Sequence, residues 1–309
     1  MTFGAFETEG SPRRPSSPAG DATSLAELVH EVSVVLGRSG VDAPRTEARD
    51  LVAAVLERPR FWPTLHAAQI ATAHERLAIL SAARRRAAGA PFAYAVGRAA
   101  FRFLTLDVDE RVLIPRPETE RLVELVLATP QAKAGKVAVD IGTGSGAIAL
   151  ALAAEGRFER VIATDISADA LAVARRNAAS LRDSLRASLE LRVGCGFAPL
   201  CGERVDVVVS NPPYIAWHEV HDLPRLVRDW EPTQALCCDD DGLAVTRQVI
   251  AGAAAHLRPN GLLALEVDCR RAHAVAGIVE ASGAFANTRV VADYTGRDRF
   301  VMASCARLD

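Results

Sequence analysis

Between residues 136 and 304, short β-branched runs alternate with alanine-rich helical stretches. No other feature of the chain restricts its fold as strongly. The runs are Val137–Ile141, Val161–Ile166, Leu189–Val193, Val205–Ser210, Leu262–Val267, Arg289–Asp293 and Phe300–Ser304. Apolar runs separated by helices imply βαβ crossovers, and so a mainly parallel sheet covered on both faces. Residues 116–309 are therefore expected to form a doubly wound α/β domain with a seven-stranded, mostly parallel, Rossmann-like sheet.

The segment ahead of it reads differently. Residues 1–22 are rich in Gly, Pro and Ser and are expected to be a disordered tail. Ser24 and Glu27 have capping-box spacing ahead of Leu25, Leu28, Val29 and Val32, which predicts a helix ending near Gly37 and Gly40. A second helix is expected from about Pro44 to Leu56, and a third from the Thr72/Glu75 box to Arg84-Arg85-Arg86. That arginine run is read as a solvated helix end rather than a phosphate site. Residues 23–98 thus form a small helical domain. Residues 99–115 form a β-hairpin linker turning near Asp109-Glu110.

With 50% hydrophobic and 24% charged residues, the chain can bury a full core. A net charge of −2 argues against a surface built for general nucleic-acid binding. The six cysteines form no C-x-x-C pair and lack matching histidines, so neither zinc nor a disulfide framework is expected. Without a membrane-length apolar run or a secretory signal, a cytoplasmic protein is expected.

Two loops carry the chemistry. Asp140-Ile141-Gly142-Thr143-Gly144-Ser145-Gly146 follows a strand and opens a helix. Glycines there allow a sharp turn with a ligand directly against the backbone. The D-x-G-x-G-x-G spacing differs from the G-x-G-x-x-G of nicotinamide sites. Asp165 ends the next strand, where a carboxylate can accept both ribose hydroxyls. S-adenosylmethionine (SAM) is the expected cofactor, held by Asp140, Gly142, Thr143, Gly144, Gly146 and Asp165, with Asn211 touching it from the other side. Asp140 is expected behind the loop, within reach of the methionine amino group.

Asn211-Pro212-Pro213-Tyr214 follows the fourth strand, at the mouth of the same crevice. An amide nitrogen is a poor nucleophile because its lone pair is delocalised. The Asn211 side-chain oxygen and the Pro212 carbonyl can each accept one N–H, orienting the nitrogen and stabilising the positive charge that grows on it. The prolines stiffen the loop, and Tyr214 can stack on a planar group. The expected acceptor is a planar amide or amine nitrogen. An adenine amino group satisfies the same chemistry, and a noncatalytic scaffold that kept the fold is a second alternative.

These residues resemble the class I SAM-dependent methyltransferases. More narrowly, the chain is similar to the family that methylates the side-chain nitrogen of a glutamine in peptide chain release factors. The resemblance runs from about residue 24 to residue 304. It rests on Leu113-Ile114-Pro115-Arg116-Pro117-Glu118-Thr119-Glu120, the loops at Asp140–Gly146 and Ser210–Ile215, Glu231-Pro232, Asp241-Gly242-Leu243 and Gly296-Arg297-Asp298-Arg299. It implies methylation of the Gly-Gly-Gln glutamine of bacterial class 1 release factors, and so a place in translation termination. A large-subunit ribosomal protein glutamine is the sister family's substrate. The resemblance also makes Arg116 and Glu118 candidate substrate-binding residues beside Asn211, Pro212, Pro213 and Tyr214. The chain departs from the family pattern at Gly194-Cys195-Gly196, at Cys237-Cys238-Asp239-Asp240 and at Glu266-Val267-Asp268-Cys269-Arg270.

Overall fold

The computed structural model describes residues 23–133 and 135–306. The expectation of a disordered tail at 1–22 lies outside them. The chain divides into two compact units, 1–87 and 88–309.

The first unit contains α1 (Leu25–Arg38), α2 (Pro44–Val55), the single turn α3 (Trp62–Leu65) and α4 (Ala73–Ala87). The α1 capping box forms as the spacing predicts. The Glu27 N–H donates to the Ser24 hydroxyl at 3.3 Å, and the Ser24 N–H donates to Glu27 Oε2 at 2.7 Å. Thr72 and Glu75 repeat the arrangement ahead of α4. Leu25, Leu28, Val32 and Leu36 line one buried face of α1, which packs on α2 and α4, where Leu51, Val52 and Ile79 are also buried. The triple arginine sits in the last turn of α4, where cations favour the helix dipole.

The second unit opens with α5 (Phe92–Val96) and a hairpin of β1 (Arg98–Phe101) and β2 (Leu104–Asp107). The turn is at Arg102-Phe103, with Phe101 paired to Leu104, and not near Asp109-Glu110. Nothing local marks it, since Arg102 takes a left-handed φ of 52° without being glycine or asparagine. Distant partners hold it there. Arg102 makes a two-pronged contact with Glu155 at 2.6 Å and donates to the Glu120 carbonyl.

After α6 (Pro117–Leu127) come β3 (Val137–Ile141), α7 (Ala147–Glu155), β4 (Arg160–Asp165), α8 (Ala168–Ser180), β5 (Ser188–Val193) and β6 (Val205–Ser210). Two short strands, β7 (Ile215–Ala216) and β8 (Cys237–Cys238), pair in parallel. The helix Ala244–His256, β9 (Leu257–Glu266), the helix Ala272–Ala281, β10 (Phe285–Ala292) and β11 (Asp298–Cys305) complete the unit.

The main sheet has the order β10-β11-β9-β6-β3-β4-β5. Its pairings are parallel except those of β11 with β9 and β10. The seven strands occupy the seven runs read from the sequence. Alternate residues face the two covers. Ala138, Val207, Val209 and Ala264 pack toward α6 and α7, whereas Val139, Val208, Leu263 and Leu265 pack toward the helices Ala244–His256 and Ala272–Ala281. The chain runs outward from β3 through β4 to β5, then returns to β6 on the other side of β3. That reversal opens a crevice beyond the carboxyl ends of β3 and β6. Among the described residues, no helix is long and apolar enough to cross a membrane.

Candidate active site

A cavity of about 440 Å³ occupies that crevice. Its walls include Gly142, Thr143, Gly144 and Ser145 after β3, Asp165 and Ile166 after β4, Cys195 and Phe197 after β5, and Asn211, Pro212 and Pro213 after β6. Thr119, Arg116 and Pro115 close it from the start of α6. The size suits a small organic cofactor.

The glycine loop is built in two layers. Gly142 (φ 77°) and Gly144 (φ 56°) hold left-handed backbone, and a Cβ on either would meet nothing within 4 Å. Only open space adjoins them, as a ligand pressed on the backbone requires. Gly146 differs. It does not line the cavity, and a Cβ there would lie 3.0 Å from Leu150 Cδ1 and 3.3 Å from Ala174 Cβ. Its small size lets the chain turn into α7 close against α8.

Asp165 anchors the loop to the next strand. Its Oδ2 accepts the Gly144 N–H at 2.9 Å and its Oδ1 accepts the Ser167 N–H at 2.8 Å. Burial pushes its carboxyl above the ordinary aspartate range. Each oxygen keeps a further lone pair for a hydroxyl donor. Asp140 is fully buried behind the loop and does not line the cavity. Its Oδ2 accepts from the Thr143 hydroxyl at 2.6 Å and from Ala149 N–H at 3.2 Å, while Oδ1 is buried with no hydrogen-bond partner. Burial pushes this carboxyl up to about 7. An open glycine cradle, a carboxylate at the wall and an acidic group with a spare acceptor behind it fit a cofactor carrying a ribose and a positive charge.

The acceptor loop sits opposite. Pro212 has no N–H, so only its carbonyl can meet a donor. Asn211 Nδ2 donates to Thr119 Oγ1 at 3.2 Å, which leaves Asn211 Oδ1 to accept. Tyr214 lies outside the main cavity. It lines an adjoining cavity of about 180 Å³ with Asn211, Pro212, Pro213, Arg116 and Leu113. Burial raises the Tyr214 phenol above its usual range, so it stays neutral. Arg116 lines both cavities and is held at 2.5 Å by Glu231, a buried carboxylate that also accepts from Ile114 N–H. Glu118 lies in the first turn of α6 and lines neither cavity.

Some site residues were not singled out by sequence reading. Thr119, Glu231 and Glu266 are all buried; Thr119 accepts from Asn211, Glu231 accepts from Arg116 and Ile114, and Glu266 accepts from Thr119. Thr119 and Glu231 stand inside the motifs that carried the resemblance, and Glu266 ends a buried strand. The departures from the family pattern also find places. Cys238 Sγ donates to the Pro213 carbonyl at 3.2 Å, so β8 backs the acceptor loop. Gly242, which matches the family pattern, follows this departure: a Cβ there would lie 2.3 Å from the Tyr214 carbonyl, so that glycine permits the close approach. Asp268 binds Arg270 and Arg271, which also reach Glu219. Cys195 lines the cofactor cavity.

Comparison with known proteins shows the family of the chain. Residues 119–226 match the methyltransferase small domain, and residues 27–97 match the PrmC N-terminal domain. A release factor glutamine methyltransferase of Moorella thermoacetica is 42% identical over 288 residues, covering 91% of this chain and 98% of that protein. The chain belongs to the release factor glutamine methyltransferase family. The family protein of Cereibacter sphaeroides is 43% identical, over 87% of this chain and 94% of its own length, and that of Xylella fastidiosa is 39% identical, over 84% and 93%. These family members align through both units and not only through the sheet.

Proposed function

We propose that the protein transfers the methyl group of SAM to the side-chain amide nitrogen of the Gly-Gly-Gln glutamine in bacterial class 1 release factors, in the cytoplasm. One observation carries the reading. Asn211, whose amide nitrogen is engaged by Thr119, lines with Pro212 the same cavity as the Gly142–Ser145 cradle.

When bound, SAM supplies an electrophilic methyl group. Gly142 and Gly144 admit it against the backbone, Asp165 would hold its ribose, and Asp140 offers negative charge from behind. Asn211 Oδ1 and the Pro212 carbonyl would each accept one N–H of the glutamine amide. Two acceptors fix the nitrogen's direction and favour the positive charge it gains as the new N–C bond forms. The lost proton leaves to water afterwards, so no strong base is needed. Tyr214 and Arg116 would shape the entrance for the glutamine side chain. The helical segment 23–98 is proposed to hold the body of the release factor.

The reading is tested with methyl-labelled SAM, intact release factor, and the same factor with its Gly-Gly-Gln glutamine changed to alanine. Label is expected on the first only. Equal label on both, or label on RNA or DNA with steep salt dependence, would contradict it.

A further inference from the structure

The acceptor loop is not self-sufficient. A neutral carboxamide such as Asn211 fits its surroundings in two orientations that exchange oxygen and nitrogen. Only one of them presents an acceptor to the substrate's N–H groups. The other would face donor with donor.

The orientation is set from outside the loop. Thr119 Oγ1 lies 2.7 Å from Glu266 Oε2 and 3.2 Å from Asn211 Nδ2. A hydroxyl has one proton. Given to the carboxylate, it leaves Oγ1 able only to accept, and only Asn211 Nδ2 can supply the donor. We propose that Thr119 and Glu266 are positioning residues for methyl transfer, which lock the Asn211 amide with its oxygen toward the acceptor. This rests on the function proposed above and names residues that set its geometry. Both are almost fully buried, in different elements, and Glu266 lines neither cavity.

The lock depends on charge. A protonated Glu266 can donate to Thr119, whose own proton then turns to Asn211 and favours the reversed amide. Burial pushes Glu266 up to about 7. The groups that bear on it are Arg299 from β11, Arg116 and Glu118 from the start of α6, and Tyr214 from the acceptor loop; the arginines favour its charged form and Glu118 opposes it. In wild type, kcat at saturating SAM should therefore rise as pH increases through about 7.

Thr119→Val removes the hydroxyl and keeps the shape, and Thr119→Ser restores it. With release factor as acceptor, Thr119→Val is expected to lower kcat about 10- to 100-fold while the calorimetric Kd for SAM moves by less than about threefold. Thr119→Ser should recover most of the rate. Glu266→Gln cannot titrate, so its kcat should lose the acid limb, and this readout stands even if the valine variant fails to fold. A folded Thr119→Val enzyme within about twofold of wild-type kcat would overturn the proposal, as would an unchanged acid limb in Glu266→Gln. Wild type that binds SAM but leaves release factor unlabelled would instead overturn the substrate reading, and the relay's role in that reaction with it.

Discussion

At the scale of single residues, charge behind the cofactor loop decides how binding responds to pH. Burial holds Asp140 neutral until pH approaches about 7. Above that it is a carboxylate, and a cationic ligand is drawn to it. The Kd for SAM should therefore fall several-fold between about pH 6 and about pH 8, and Asp140→Asn should flatten that change, as read by calorimetry. A pH-independent Kd in wild type would sink the idea. The two kinds of glycine separate in the same way. Gly144→Val enters open space and should raise the Kd for SAM at least about tenfold. Gly146→Ala meets Leu150 and Ala174 at a φ of 85° and should instead cost about 1–2 kcal/mol in urea unfolding. The sequence places all three glycines in one loop. It does not separate those that face the ligand from the one that faces a helix, because that division depends on where α8 packs.

Among the elements, those whose signals are local were the most legible. The Ser24/Glu27 and Thr72/Glu75 boxes form as spaced, and the seven runs are the seven strands of the sheet. Ser24→Ala removes one of these caps and should lower the stability of the helical unit by about 1 kcal/mol, measured by urea unfolding of the full chain. A loss near zero would show that the cap contributes little beside the packing of Leu25 and Leu28. The hairpin turn was misread because its residues carry no turn chemistry. Arg102 is held in a left-handed conformation by Glu155, which lies 53 positions further along the chain. Thr119, Glu231 and Glu266 stand in the segments compared with the family but gain no site role from the sequence, for a related reason. Each matters through a partner on another element, between 92 and 147 positions away, and no sequence window contains both.

At the scale of the whole molecule, topology brings the two halves of the chemistry together. The loops after β3 and β6 are about 70 residues apart in sequence, yet they adjoin because those strands are neighbours and the sheet reverses between them. The central claim is that this crevice presents one glutamine amide nitrogen to the methyl group of SAM. It is tested most directly by tandem mass spectrometry of a release factor incubated with SAM and either the wild-type protein or Asn211→Ala. The account predicts one added methyl on the side-chain nitrogen of the Gly-Gly-Gln glutamine with wild type, and a rate lower by about 100-fold or more with Asn211→Ala. A methyl on any other residue, or an undiminished rate in the variant, would contradict it.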